Sequence, residues 1–423
     1  MVNGFATTDE RMSDVDPRQK LGRNGSPLLP GGYGRSTYYT GAPAPYAVRG
    51  EGYRLWDDRG RELIDANNNF TTLIHGNAHP QIVEAAGRAM REGNCWGIPN
   101  LYEWDHAERL LERLPGLDQV RYTNSGTEAV MTAVRIARAS TGRDGCIVAL
   151  GGYHGTSDIA LCAGGEAYTK GVPRGVVDDV TVLPLNDVAG LRAAVEQSPE
   201  RYAAIIIDLL PNRAGLVSVD EEFVTVAREL ATRHGVALIV DEVISLRLGH
   251  RGLCADYGVV PDLLTVGKIV GGGFPVGAVA GREELMRELD ATQPHSLPHG
   301  GTFSGNPVSM AAGVESLKLL TAEEITRLNA LGDRARETIS ARVADAGWEV
   351  RGRGSLLRAF PTGAVKLPEK VQWHLWWAAY DRGLLLSPAN LTALSTPMTE
   401  PVVADLADRL AEAILDTARA TTA

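Results

Sequence analysis

Short apolar runs separated by helical stretches dominate the middle of the chain. The runs are VRYT (120–123), CIVAL (146–150), VTVLPL (180–185), AAIIID (203–208), VALIVD (236–241), LLTVG (263–267) and PVGAVAG (275–281). Amphipathic stretches with helical spacing lie between most of them, as at 127–139 and 221–234. Runs such as AIII and ALIV show no polar alternation, so they fit strands buried on both faces. Strands alternating with helices predict an α/β fold with a mostly parallel seven-stranded sheet covered on both sides. In such sheets ligands bind at the carboxyl ends of the strands.

The flanking segments differ. Residues 1–30 are polar, with Gly and Pro near their end, and predict a flexible arm. Apolar and polar residues alternate over 46–64 around the DDRG turn at 57–60, which predicts a hairpin. His79-Pro80 opens an amphipathic run ending near Glu92, the start signal of a helix. From about Pro307 the pattern is helical, then strand-like at 348–359 and 384–394, then helical again at 405–418. The expected organisation is an arm and part of a small domain over 1–75, a large ligand-binding domain over 76–306, and a smaller α+β domain completed by 307–423. Trp373, Trp376 and Trp377 lie at helical spacing and are expected in a core or a subunit contact.

Composition narrows the partners. With 44% hydrophobic residues, a net charge of -10 and no long basic run, neither nucleic acid nor an anionic membrane is the expected partner. The four cysteines are scattered and form no CxxC pair, which speaks against disulfides and zinc. The start of the chain shows no signal pattern, and no apolar run approaches the ~20 residues needed to span a bilayer. The expected location is cytoplasmic. His75 with His79, and His295 with His299, have i,i+4 spacing, but proline sits beside or within each pair, so no metal site is expected.

Five segments carry candidate chemistry. In NSGTEAV (124–130), a strand ends and Ser125, Gly126 and Thr127 open a helix. Free amides, the positive helix end and two hydroxyls suit a phosphate. A capping box of Ser125 and Glu128 explains the same residues. In GGYHG (151–155), Tyr153 stands on a glycine-rich loop after a strand, where it can stack on a planar ligand or pack on the sheet edge. Asp241 ends a buried strand, where a carboxylate is costly unless paired. A pyridinium N–H is a suitable partner, with Val243 leaning on the ring face; a strand-end cap is the plainer alternative. Lys268 follows a buried strand and precedes three glycines. It either snorkels to solvent or is desolvated, and a desolvated amine is a nucleophile. In GTFSGNP (301–307), Thr302 is a second hydroxyl suited to phosphate.

The order and spacing of NSGTEA, GGYHG, DEV, VGKIVGGG and GTFSGN resemble the class III aminotransferases, which are fold-type I enzymes dependent on pyridoxal 5'-phosphate (PLP). The resemblance runs from about Gly31 to near the C-terminus, and is greatest to glutamate-1-semialdehyde aminomutases and β-amino-acid (β-phenylalanine type) aminotransferases. It implies a homodimer with active sites at the interface, a small-molecule amine donor and a carbonyl acceptor. It implies that Ser125, Gly126 and Thr127 bind the phosphate together with Thr302 from the partner subunit. Tyr153 and Val243 would flank the ring, Asp241 would hold its nitrogen, and Lys268 would be the Schiff-base lysine. Arg35, in PGGYGRSTYY, matches a position that grips a substrate carboxylate, with Tyr38, Tyr39 and Trp96 as an apolar wall.

There are departures. Asp208-Leu209 stands where relatives carry Glu-Pro, so Asp208 reaches a methylene less far toward the cofactor. DEVISLRLG lacks the DEV-x-TGFR pattern and looks closer to the β-amino-acid enzymes. At 389–392, where aminomutases carry a Glu and the β-amino-acid enzymes an Arg close by, this chain has Ala389, Asn390, Leu391 and Thr392. Amino-group transfer is the leading expectation. A single-substrate aminomutase, a racemase or epimerase and a decarboxylase share the scaffold. A non-catalytic binding module is disfavoured by the presence of both Lys268 and Asp241.

Overall fold

The computed structural model describes residues 28–38 and 40–422. The expected arm over 1–30 and the expected contribution of Tyr39 therefore fall largely or wholly outside the described residues. The chain divides into two compact units, Met1–Tyr46 and Ala47–Ala423. In the first, short 3₁₀ turns cover Pro30–Gly32 and Ser36–Tyr38. The Ala44 amide donates to the Tyr33 hydroxyl at 2.9 Å, and the Arg35 guanidinium lies 5.0 Å from the Tyr38 ring centre.

The second unit is built on a seven-stranded sheet. Its strands are β4 Gln119–Thr123, β5 Gly145–Ala149, β6 Val180–Leu183, β7 Tyr202–Ile207, β8 Ala237–Asp241, β9 Leu263–Gly267 and β10 Gly277–Gly281. All seven apolar runs became strands. The spatial order is β4-β10-β9-β8-β7-β5-β6, and β10 alone runs against the others. Every residue of β7, β8, β9 and β10 is buried, as runs without alternation require. Helices cover the sheet, among them Gly126–Thr141 and Glu221–His234. After β5 the chain steps outward to β6, and then returns to the other side for β7, β8 and β9. The crevice above the β5/β7 boundary is thus the topological switch point where such sheets bind ligands.

Two smaller sheets complete the unit. One orders β1 Ala47–Glu51, β2 Arg54–Asp57, β3 Glu62–Asp65 and β13 Leu384–Leu385; the other orders β11 Trp348–Arg353, β12 Leu356–Pro361 and β14 Thr392–Ala393. The expected hairpin over 46–64 is a three-stranded meander: the turn at 57–60 is present, but a second turn at Gly52 and Tyr53 precedes it. Gly52, with φ +54, makes that tight turn possible without a dipeptide signature. The strand expected at 384–394 is two pairs of residues in different sheets, because Asn390 adopts φ +62 between them and breaks the extension. Trp376 is buried in the helix Glu369–Asp381 and donates to the Leu386 carbonyl at 3.0 Å, as a core residue would.

The sheet register positions the site. Gly277 pairs with Thr123 on one side and Gly267 on the other, so the chain after β4 and the chain after β9 emerge side by side. A Cβ at Gly277 would collide with the Ser125 carbonyl. Gly277→Ala is therefore expected to lower stability by about 1–3 kcal/mol, the usual cost of overpacking. Gly175→Ala, with open space at its Cα, should shift it by less than about 0.5 kcal/mol. Urea unfolding of the two variants checks the contrast.

Candidate active site

Five strands, β5, β7, β8 and β9 side by side and β4 one strand beyond β10, deliver functional side chains at one end of the sheet. Ser125 follows β4, Lys268 follows β9, Asp241 ends β8, Asp208 follows β7, and Tyr153 and His154 stand on the loop after β5. Residues separated by more than a hundred positions in the chain are brought together by strand order alone.

Asp241 is buried and organises the centre. One carboxylate oxygen accepts from the Val243 amide and the Thr265 hydroxyl, both at 3.1 Å. The other lies 2.8 Å from His154 Nδ1. Burial pulls the His154 pKa down, but the hydrogen bond and charge of Asp241 outweigh it and hold the imidazole above its ordinary value. The oxygen facing His154 keeps a second lone pair for another donor. His154 Nε2 is buried with no hydrogen-bond partner among the described residues.

Lys268 and Asp208 complete a charge cluster. Lys268 takes a left-handed backbone, φ +51, directly after β9. Burial lowers its pKa, and the carboxylates of Asp241 and Asp208 oppose that only in part. Asp208 is buried, accepts from the Leu210 amide at 3.0 Å, and is pushed up to about 7 by desolvation and by Asp241. The shorter side chain thus still lies within electrostatic range of Asp241, His154 and Lys268.

At the helix Gly126–Thr141, Ser125 Oγ accepts from the Glu128 amide at 3.2 Å and the Ser125 carbonyl from Ala129 at 3.0 Å. Glu128 reaches back to the Asn124 amide at 2.6 Å. The capping arrangement is real, and it leaves the Gly126 and Thr127 amides without carbonyls inside the helix while the Ser125 hydroxyl proton remains available. A Cβ at Gly126 would stand 2.9 Å from Val243, and one at Gly155 2.7 Å from the Thr127 backbone. Helix start, DEV segment and GGYHG loop therefore close on one another around a cradle that tolerates no extra side chain. The donors of that cradle suit a phosphate, the free lone pair on Asp241 suits a ring N–H, and Lys268 stands beside them. The residues present fit PLP.

The remaining expected residues are placed less completely. Thr302 is exposed, on a turn whose Gly301 packs toward Asn124. Trp96 is exposed and lies against Gly93. Arg35 and Tyr38 belong to the separate N-terminal unit. His154 escaped notice in the sequence because its partner, Asp241, lies two strands away, and strand order is not a local property.

Comparison with known proteins agrees with this geometry. The aminotransferase class-III family model matches residues 40–417. Glutamate-1-semialdehyde 2,1-aminomutase of Rhodopirellula baltica is 37% identical, over 87% of this chain and 89% of its own. The crystal structure of an ω-transaminase from Sphaerobacter thermophilus is 41% identical with a TM-score of 0.88, over 93% of this chain and 95% of that one. A β-phenylalanine aminotransferase from Variovorax paradoxus is 32% identical with a TM-score of 0.84, over 92% and 90%.

The charge cluster makes a prediction for the cofactor-free protein. Asp208 is neutral in the fold up to about pH 7, but ionises near 4 when unfolded. The folded state therefore binds the extra proton, and the stability this group contributes is present below pH 4 and lost as pH rises to 7. Asp208→Asn should raise apoenzyme stability at pH 8 by on the order of a few kcal/mol and leave it nearly unchanged at pH 4. Thermal melts of both proteins at the two pH values check this.

Proposed function

The chain belongs to the class III aminotransferase family, and from that premise we propose that it transfers an amino group between a carboxylate-bearing amine, such as a β-amino acid, and a carbonyl acceptor. PLP is the cofactor of the family, and when bound it supplies an electron sink for bond cleavage at the substrate carbon. The observation that carries the proposal is the placement of Lys268 directly after β9, next to the strand that ends in Asp241, where it is desolvated and within electrostatic range of that carboxylate.

Each residue then has a task. Asp241 holds the charge at the ring nitrogen, and His154 fixes the orientation of that carboxylate. Ser125, Gly126 and Thr127 bind the phosphate. Tyr153 and Val243 flank the ring. Asp208, neutral to about pH 7, can donate a proton toward the cofactor rather than compete with Asp241 for it. Lys268 would hold the cofactor covalently, and its amine would be the base that moves a proton at the substrate carbon. Desolvation suits it to that task, because it keeps more of the amine unprotonated near neutrality.

A second copy of the chain completes the site. Trp96, Ile98, Leu101, Trp104 and Phe303 are large apolar side chains exposed on adjoining segments. The Asn100 side chain donates to the Gly305 carbonyl at 2.9 Å, and the Asn306 side chain to the Asn94 carbonyl at 2.8 Å, which ties those segments together. Such a patch favours burial against a partner, and it would carry the exposed Thr302 to the phosphate of the other subunit.

Two features support transfer over the single-substrate aminomutase reaction, which the name of the R. baltica relative favours. Asn390, Leu391 and Thr392 are buried and uncharged, and Thr392 pairs with Leu357 in the small sheet. The segment thus offers no charge to a second carboxylate. The ω-transaminase of Sphaerobacter thermophilus is also 41% identical to this chain, against 37% for the R. baltica aminomutase. Arg35 is the proposed anchor for the substrate's single carboxylate.

Three outcomes are expected. Mixed with a β-amino acid alone, the enzyme should convert its cofactor to the aminated form once and stop until a keto acid is added; sustained turnover with one substrate would establish a mutase or epimerase. Asp241→Asn should fold and lose on the order of a hundredfold or more in kcat. Arg35→Ala should raise KM for a β-amino acid at least tenfold, and change KM little for its decarboxylated analogue; equal losses for both would remove Arg35 from the substrate site.

A further inference from the structure

Arg213 stands on the 3₁₀ turn Asn212–Ala214, beyond the end of β7. Its guanidinium carbon lies 4.3 Å from the ring centre of Tyr153 and 4.6 Å from that of Tyr168. Among the described residues it makes no ion pair. At these distances a guanidinium without a carboxylate is within cation–π range of both rings.

The loop that carries Tyr153 needs such support. Gly151 and Gly155 both take positive φ, +83 and +100, so the backbone on either side of the ring is inherently permissive. His154 anchors one side of the loop to Asp241. The Tyr153 ring itself is only half-buried. A Cβ at Gly151 would stand 3.0 Å from Ala214, so the Arg213 turn packs directly against the loop backbone. The turn is held from behind: Arg358, buried on β12, donates to the Asn212 carbonyl at 2.8 Å. A rigid line therefore runs from β12 through Asn212 and Arg213 to Tyr153.

We propose that Arg213 is a positioning residue for the cofactor: clamped between Tyr168 and Tyr153, it presses the Tyr153 ring into place against the cofactor ring. The proposal rests on the assignment of Tyr153 to that ring. Arginine suits the position because its planar, weakly hydrated cation can stack on aromatic faces, whereas a lysine ammonium is a compact, strongly hydrated point charge.

The test uses PLP itself, titrated into apoenzyme and followed by visible absorbance and by circular dichroism of the bound cofactor, which reports the asymmetry of the ring's surroundings. Wild type, Arg213→Met, Arg213→Lys, Tyr168→Leu and Tyr153→Ala are compared, with the thermal midpoint of each apoenzyme. Arg213→Met should weaken PLP binding roughly tenfold and reduce the dichroic signal, with the apoenzyme midpoint unchanged. Arg213→Lys should recover part of both, and Tyr168→Leu should lose part of both. PLP affinity and dichroism of Arg213→Met within twofold of wild type would overturn the proposal, including the case in which only KM for carboxylated amines rises, which would make Arg213 a substrate anchor. A fall in apoenzyme midpoint with unchanged PLP affinity would overturn it too. If Tyr153→Ala leaves the dichroism unchanged, the assignment of Tyr153 has failed; if Tyr153→Ala abolishes it and Arg213→Met does not, only the role of Arg213 has.

Discussion

A carboxylate at the end of a buried strand is the constraint on which this structure turns. Asp241 is sealed among the strand ends, with a second carboxyl, Asp208, close enough to be pushed up to about 7 by their mutual repulsion and by burial. Two acids cannot both ionise cheaply in such a place. The protein resolves the conflict by directing its donors to Asp241: the Val243 amide, the Thr265 hydroxyl and His154. Asp208 receives the Leu210 amide, and with its pKa pushed up to about 7 it keeps its proton until near neutral pH. Asp241 thus presents a carboxylate held by three donors to whatever cation enters the cleft.

The rest of the architecture serves that arrangement. Parallel strands present their carboxyl ends together, and the reversal of strand order between β5 and β7 opens a crevice there. Glycines at 126, 155 and 277 let the helix start, the loop after β5 and the first residue of β10 approach within contact distance. Lys268 is kept beside the carboxylates by a left-handed backbone that a β-branched residue would resist. Proximity and desolvation act in opposite directions on its amine, and desolvation prevails. A lysine so placed is poised for covalent chemistry rather than for solvation.

Much of this was legible in the chain because the relevant signals are local. Unbroken apolar runs marked all seven central strands, since a strand buried on both faces leaves no polar positions. Glycine-rich turns after those strands marked where Tyr153, Lys268 and the helix start at Ser125 would stand. What escaped depends on pairing at a distance. His154 gains meaning only because β5 lies two places from β8. Arg213 gains meaning only because the turn after β7 meets the loop after β5. Arg247, expected only as part of a variant motif, is fully buried and bonded to Ser355 Oγ at 3.0 Å and the Thr71 carbonyl at 3.3 Å, so it ties the DEV segment to both ends of the unit. No local pattern announces a contact between residues 71, 247 and 355.

The central claim is that one lysine, held beside Asp241, carries the cofactor. Reduction of the holoenzyme with borohydride, followed by proteolysis and mass mapping, tests it most directly. The account predicts a single pyridoxyl-labelled peptide with the modification on Lys268. A label on any other lysine in its place (Lys20, Lys170, Lys318, Lys366 or Lys370) would contradict it.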